Sequence, residues 1–81
     1  MRLDKFLKVS RIIKRRTVAK EVADQGRVQI NGQVAKSSST VKVGDLIQIE
    51  FGNRLLKIRV KAIKETSKKD EAQELYEEVN D

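Results

Sequence analysis

Residues 26–32 read Gly26-Arg27-Val28-Gln29-Ile30-Asn31-Gly32, and this stretch decides the fold. Gly26 stands where a left-handed residue closes a helix. Val28 and Ile30 alternate with Arg27 and Gln29, the period of a strand with one buried face. Asn31-Gly32 is the strongest short hairpin signal, because both residues tolerate the positive φ of a type I′ turn. The chain therefore switches here from helix to sheet.

Upstream, Leu3, Phe6 and Leu7 recur at helical spacing and predict a helix over 3–9, with Ser10 allowing close approach. Asp4 lies in its first turn, where a carboxylate suits the helix dipole. Val18, Ala19, Val22 and Ala23 form a small-residue stripe and predict a second helix over 15–25. Downstream, Gln33 to Lys36 returns from the hairpin, and Ser37 to Thr40 is a polar loop anchored by Val41 and Val43. Leu46 to Phe51 alternates with Ile47, Ile49 and Phe51 inward. Gly52-Asn53 fits a two-residue hairpin loop, and Leu56, Ile58, Val60 and Ala62 alternate with Lys57, Arg59 and Lys61. Ala72, Leu75, Tyr76 and Val79 share a stripe that predicts a last helix over 70–79, joined to the body by 66–69. The expected architecture is α+β: two N-terminal helices packed on a small antiparallel sheet, plus an acidic C-terminal helix. Residues 1–64 form the expected domain, and 65–81 an acidic helix or tail.

The chain has 81 residues and no Cys, His or Pro. Without Cys or His, most metal sites and most nucleophile–base pairs are excluded, so no metal and no cofactor is expected. The carboxylates Asp4, Glu21, Asp24, Asp45 and Glu50 fall on separate elements and form no acid–base pair, so an enzyme is not expected. There is no apolar run of signal-peptide or membrane-span length, and a cytoplasmic location with no membrane contact is the expectation.

Charge carries the functional signal. The total of +6 hides a division: residues 1–27 hold nine Lys/Arg against three Asp/Glu, while 65–81 hold two against seven. Seven of the first sixteen residues are cations. A dense positive surface on a packed scaffold suits a phosphate backbone. The candidate RNA contacts are Arg2, Lys8, Arg11, Lys14, Arg15 and Arg16, with Lys36 and Ser38 from the polar loop. The arginines suit fixed contacts, because guanidinium holds phosphate bidentately where ammonium acts as a point charge. Asp4 would repel phosphate and is expected to hold an arginine or a helix start in place. Lys57, Arg59 and Lys61 read as the wet side of a strand. Phe6 and Phe51 lie in apolar register and Tyr76 in the acidic tail, so recognition is expected to rest on shape and phosphate rather than on stacked bases.

Arg2-Leu3-Asp4, Arg16 with Ala19, the stretch 26–32, then Lys36, Ser38, Val41, Gly44-Asp45 and Ile47 together resemble the S4-type RNA-binding domain over residues 2–50. One departure is Arg15, where the family usually has Ser or Thr. Among stand-alone members, residues 7–28, the length and the acidic end resemble RqcP-type factors of bacterial ribosome quality control. The chain is also similar to the small heat-shock RNA-binding protein of stalled large subunits. The resemblance implies an S4-like (αL) fold, with Arg2 and Arg16 at the fingerprint positions. It implies a non-enzymatic, monomeric factor that binds a large ribosomal subunit still carrying peptidyl-tRNA. Contacts would be to large-subunit rRNA and P-site tRNA, in support of alanine tailing by an RqcH-type partner. The alternatives are a heat-shock-type factor on stalled large subunits, or a module guiding an rRNA- or tRNA-modifying enzyme.

Overall fold

Leu3, Phe6 and Leu7 place three large apolar side chains on one side of α1 (Leu3–Val9), and all three are fully buried in the computed structural model, which describes residues 1–65 and 68–79. The 66–67 part of the expected joining segment, and residues 80–81, lie outside the described residues. α1 has no side-chain cap at Arg2. Its first-turn amides are met instead by the polar loop: Leu3 N–H donates to the Ser39 carbonyl (2.8 Å) and Asp4 N–H to the Ser37 carbonyl (3.1 Å). The Lys5 N–H donates to Asp4 Oδ1 (2.8 Å). Helix-end donors need such partners, and here they tie loop 36–40 down. The loop is secured at a second point, where the Ser37 N–H (3.0 Å) and hydroxyl (3.2 Å) donate to the Asp24 carboxylate.

α2 (Arg16–Asp24) buries Ala19 and Ala23 against the core. Val18, expected on the same stripe, is 41% exposed; it sits at the stripe's edge, and the two alanines make the close approach. Arg15 takes the N-cap position with extended backbone and no side-chain cap, consistent with the absence of Ser or Thr there. Gly26 follows at φ +80°, the left-handed conformation that ends the helix.

The sheet contains β1 (Val28–Ile30), β2 (Gln33–Val34), β3 (Leu46–Phe51), β4 (Arg54–Val60) and β5 (Tyr76–Glu78). All pairings are antiparallel, in the order β2-β1-β3-β4-β5. Asn31 (φ 53°) and Gly32 (φ 85°) make the expected turn between β1 and β2. Register opposes Val28 to Ile49 and Ile47 to Ile58. These four side chains are fully buried and, with Val60, form the sheet's side of the core beneath the helices. Phe51 and Leu56 are only half-buried at its margin.

The C-terminal acidic helix is not formed. Residues Ala72–Glu74 make one 3₁₀ turn, and Tyr76–Glu78 extend as β5 against β4, pairing Val60 with Tyr76, Arg59 with Glu77 and Ile58 with Glu78. Two physical reasons account for this. An isolated helix of about ten residues is marginal in water. The long strand β4 also offers an unpaired edge, with cationic Arg59 facing anionic Glu77 across the ladder. Leu75 is fully buried. Burial of such a side chain contributes about 1.5–3 kcal/mol and holds the returning segment in place.

Candidate nucleic-acid interface

The starts of the two helices meet at one carboxylate. Asp4 is almost wholly buried and receives Arg2 through Nε (3.2 Å) and a terminal guanidinium nitrogen (3.4 Å). Arg16 reaches Oδ2, the oxygen that the Arg2 terminal nitrogen also meets, through Nε (3.4 Å). The Arg2 and Arg16 side chains remain 50% and 46% exposed. The carboxylate thus holds two like charges side by side on one surface, while both keep guanidinium area open to solvent. The expectation that Asp4 orients an arginine is met, and it orients two.

Beside this pair lies a groove of about 650 Å³. Lys5 and Lys8 of α1, Arg11 and Lys14 of the interhelical turn, and Arg16 line it. Lys69 and Tyr76, from the C-terminal segment, line it as well. Among the described residues that line it the one carboxylate is Glu65, which is ion-paired to Lys5. That ammonium holds the Glu65 carboxyl below its usual range. The groove therefore retains a strong excess of positive charge. Arg11 enters it from an unusual backbone: its φ is +63°, the left-handed region that a side chain occupies at a cost. The turn is fixed by the Arg11 N–H on the Lys8 carbonyl (3.0 Å) and the Ile13 N–H on the Leu7 carbonyl (3.1 Å).

Of the sequence candidates, the structure brings Lys8, Arg11, Lys14 and Arg16 into the groove and Arg2 beside it through Asp4. Arg15 is exposed at the α2 start but does not line the groove. Lys36 and Ser38 are exposed on the loop that crosses the start of α1, also outside the groove. In that loop Ser37 is the anchored residue. Its amide, its hydroxyl and the Lys20 ammonium together lower the Asp24 pKa to about 2, the Ser37 amide contributing most. Arg59 donates to the Gly44 carbonyl (3.0 Å) and faces Glu77, in keeping with a structural role. Sequence reasoning missed Lys69 and Tyr76. Their place depends on β5 joining β4; the only local signal was the strand preference of Tyr and Val in 76–79.

Among the described residues no group of three or more acidic, His or Cys side chains could hold a metal ion, and no helix is long and apolar enough to cross a membrane. A basic groove on a two-helix lid over an antiparallel sheet describes a small nucleic-acid-binding domain. The S4 domain family matches residues 1–47, and the chain belongs to that family. Within it, the chain is 62% identical over 76 residues to the RQC P-site tRNA stabilizing factor of Bacillus subtilis, covering 94% of this chain and 88% of the relative. It is 58% identical over 81 residues to the factor of the same name from Streptococcus pneumoniae, covering 100% and 92%. A trimeric structure of Vibrio cholerae heat shock protein 15 superposes with a TM-score of 0.90 at 36% identity, covering 98% of this chain and 81% of that one.

Proposed function

We propose that this chain is a non-enzymatic factor of ribosome-associated quality control that binds a large ribosomal subunit carrying peptidyl-tRNA. The observation that carries the reading is the Asp4-held pair Arg2 and Arg16 beside a cationic groove. Fixed guanidiniums suit folded RNA, whose phosphates are themselves fixed, and mobile lysines add affinity without demanding one geometry. Relatives named as P-site tRNA stabilizing factors support tRNA as one of the RNAs. Large-subunit rRNA is the second contact in this reading, and an RqcH-type tailing factor is the protein that acts on the stabilised tRNA. A single cytoplasmic copy is the binding unit, with Arg15, Lys36 and Ser38 touching phosphate at the margins of the groove.

The test is recovery of large subunits and peptidyl-tRNA with the native protein from its own cell, followed by salt titration. Each phosphate contact should release roughly 0.7–0.9 of a counterion, so binding falls steeply with salt. Arg2→Ala and Arg16→Ala should each weaken association while the thermal midpoint moves little, because each leaves the other arginine on Asp4. Recovery of no subunits, or binding indifferent to salt, sinks the reading.

A further inference from the structure

One residue that lines the cationic groove is not explained by phosphate. Phosphate attraction needs cations and backbone donors; it has no use for an aromatic ring. Tyr76 nevertheless lines the same groove as the cations of residues 5–16. Tyr76 is half-buried and packs against the core cluster, which holds it in place. Its backbone is set by register, opposite Val60 in the sheet. Its hydroxyl makes no hydrogen bond among the described residues. Phe6 is fully buried, so it offers no surface to a ligand. A pre-positioned ring in a groove shared with cations is the arrangement that takes a nucleotide whole: charge for the phosphate, ring for the base.

We propose that Tyr76 is a stacking platform for one unpaired base of the bound RNA, whose flanking phosphates lie on Lys8, Arg11 and Lys14. This assignment rests on the RNA reading of the groove. It makes the site selective for a splayed or single-stranded nucleotide next to folded RNA, a preference that phosphate contacts to Lys8, Arg11 and Lys14 alone would not give. The hydroxyl, unengaged among the described residues, remains able to reach a ribose or base edge.

The chain offers its own reporter, since Tyr76 is the sole Tyr and there is no Trp. A short end-labelled RNA oligomer and an abasic oligomer of the same length serve as probes. The base-bearing oligomer should quench the tyrosine emission of the unmodified protein, and the abasic one should bind without quenching. Tyr76→Leu should weaken the base-bearing oligomer about 5- to 150-fold and leave the abasic one unchanged; Tyr76→Phe should retain binding of both. The Phe variant also guards against misfolding of the edge strand as an explanation. Equal quenching by both oligomers, or an equal effect of Tyr76→Leu on both, overturns the stacking assignment while the groove reading stands. If neither oligomer binds, or if Lys8→Ala with Lys14→Ala leaves binding unchanged, the groove reading fails and takes the stacking assignment with it.

Discussion

Asp4→Asn sets two physical pictures of the basic surface against each other. The substitution keeps an oxygen to accept from the Lys5 N–H but removes the charge that Arg2 and Arg16 share. Net charge rises by one, from +6. If the surface acts as a diffuse positive field, RNA binding should strengthen. If it acts through held guanidiniums, binding should weaken, because each freed side chain must be ordered again on the RNA at about 0.5–1.5 kcal/mol. Two such side chains give about 1–3 kcal/mol, or about 5- to 150-fold in affinity. The stability effect is smaller. Both guanidiniums are half exposed, so solvent screening limits each pair to at most about 1 kcal/mol, and an amide is easier to bury than a carboxylate. A net loss of about 1 kcal/mol would lower the midpoint by about 4–8 °C in a domain of this size. Affinity for large subunits should be measured against salt and extrapolated to about 1 M, where the counterion contribution vanishes. The expected result is a lower extrapolated affinity. A steeper salt dependence with an unchanged extrapolated value would refute the held-guanidinium picture.

Arg11 separates stability from binding in the opposite sense. Its φ of +63° favours glycine, so Arg11→Gly should raise thermal stability, by up to about 1 kcal/mol after the added flexibility of the unfolded chain, while weakening RNA binding; a lower midpoint would contradict the strain argument. Asp24 predicts an acid dependence. Its pKa is depressed from 3.8 to about 2 by the Ser37 amide, the Lys20 ammonium and the Ser37 hydroxyl, so its contribution is present above the unfolded value and lost as pH falls through the folded one. The difference in urea midpoint between the unmodified protein and Asp24→Asn should therefore shrink between those two pH values, and a difference that ignores pH would show that the carboxylate is not held in this way.

Much of this site was legible because it is local. The apolar spacing of Leu3, Phe6 and Leu7, the alanines of α2 and the Asn31-Gly32 turn each express one short-range rule, and the elements formed where those rules put them. The structural role of Asp4 followed from charge alone, since a carboxylate amid cations facing phosphate needs a reason. What stayed hidden is non-local. The stripe 72, 75, 76 and 79 satisfies helical spacing, and only the free edge of β4 decides for a strand. Tyr76 thereby moves from an acidic tail, where it looked irrelevant to RNA, to the wall of the basic groove. The left-handed backbone of Arg11 was equally invisible, because nothing local asks for positive φ at an arginine.

The arrangement also answers why a surface suited to RNA keeps a buried carboxylate at its centre. A guanidinium has five N–H donors in a fixed fork. Arg2 commits two nitrogens to Asp4, and Arg16 commits its Nε. The remaining donors sit on side chains that are about half exposed, so each fork is aimed without being used up. Lysines at 5, 8, 14 and 69 line the groove beside the pair and, among the described residues, lack that restraint apart from the Lys5 pair with Glu65. Rigid forks register one phosphate geometry, while mobile ammoniums tolerate many. A surface built from both would bind RNA broadly at first contact and discriminate only once the forks engage. Losing lysines should therefore slow association with every RNA alike. Losing Asp4 should erase the preference for the folded target over unstructured RNA of equal charge, and retention of that preference in Asp4→Asn would show that shape is read elsewhere.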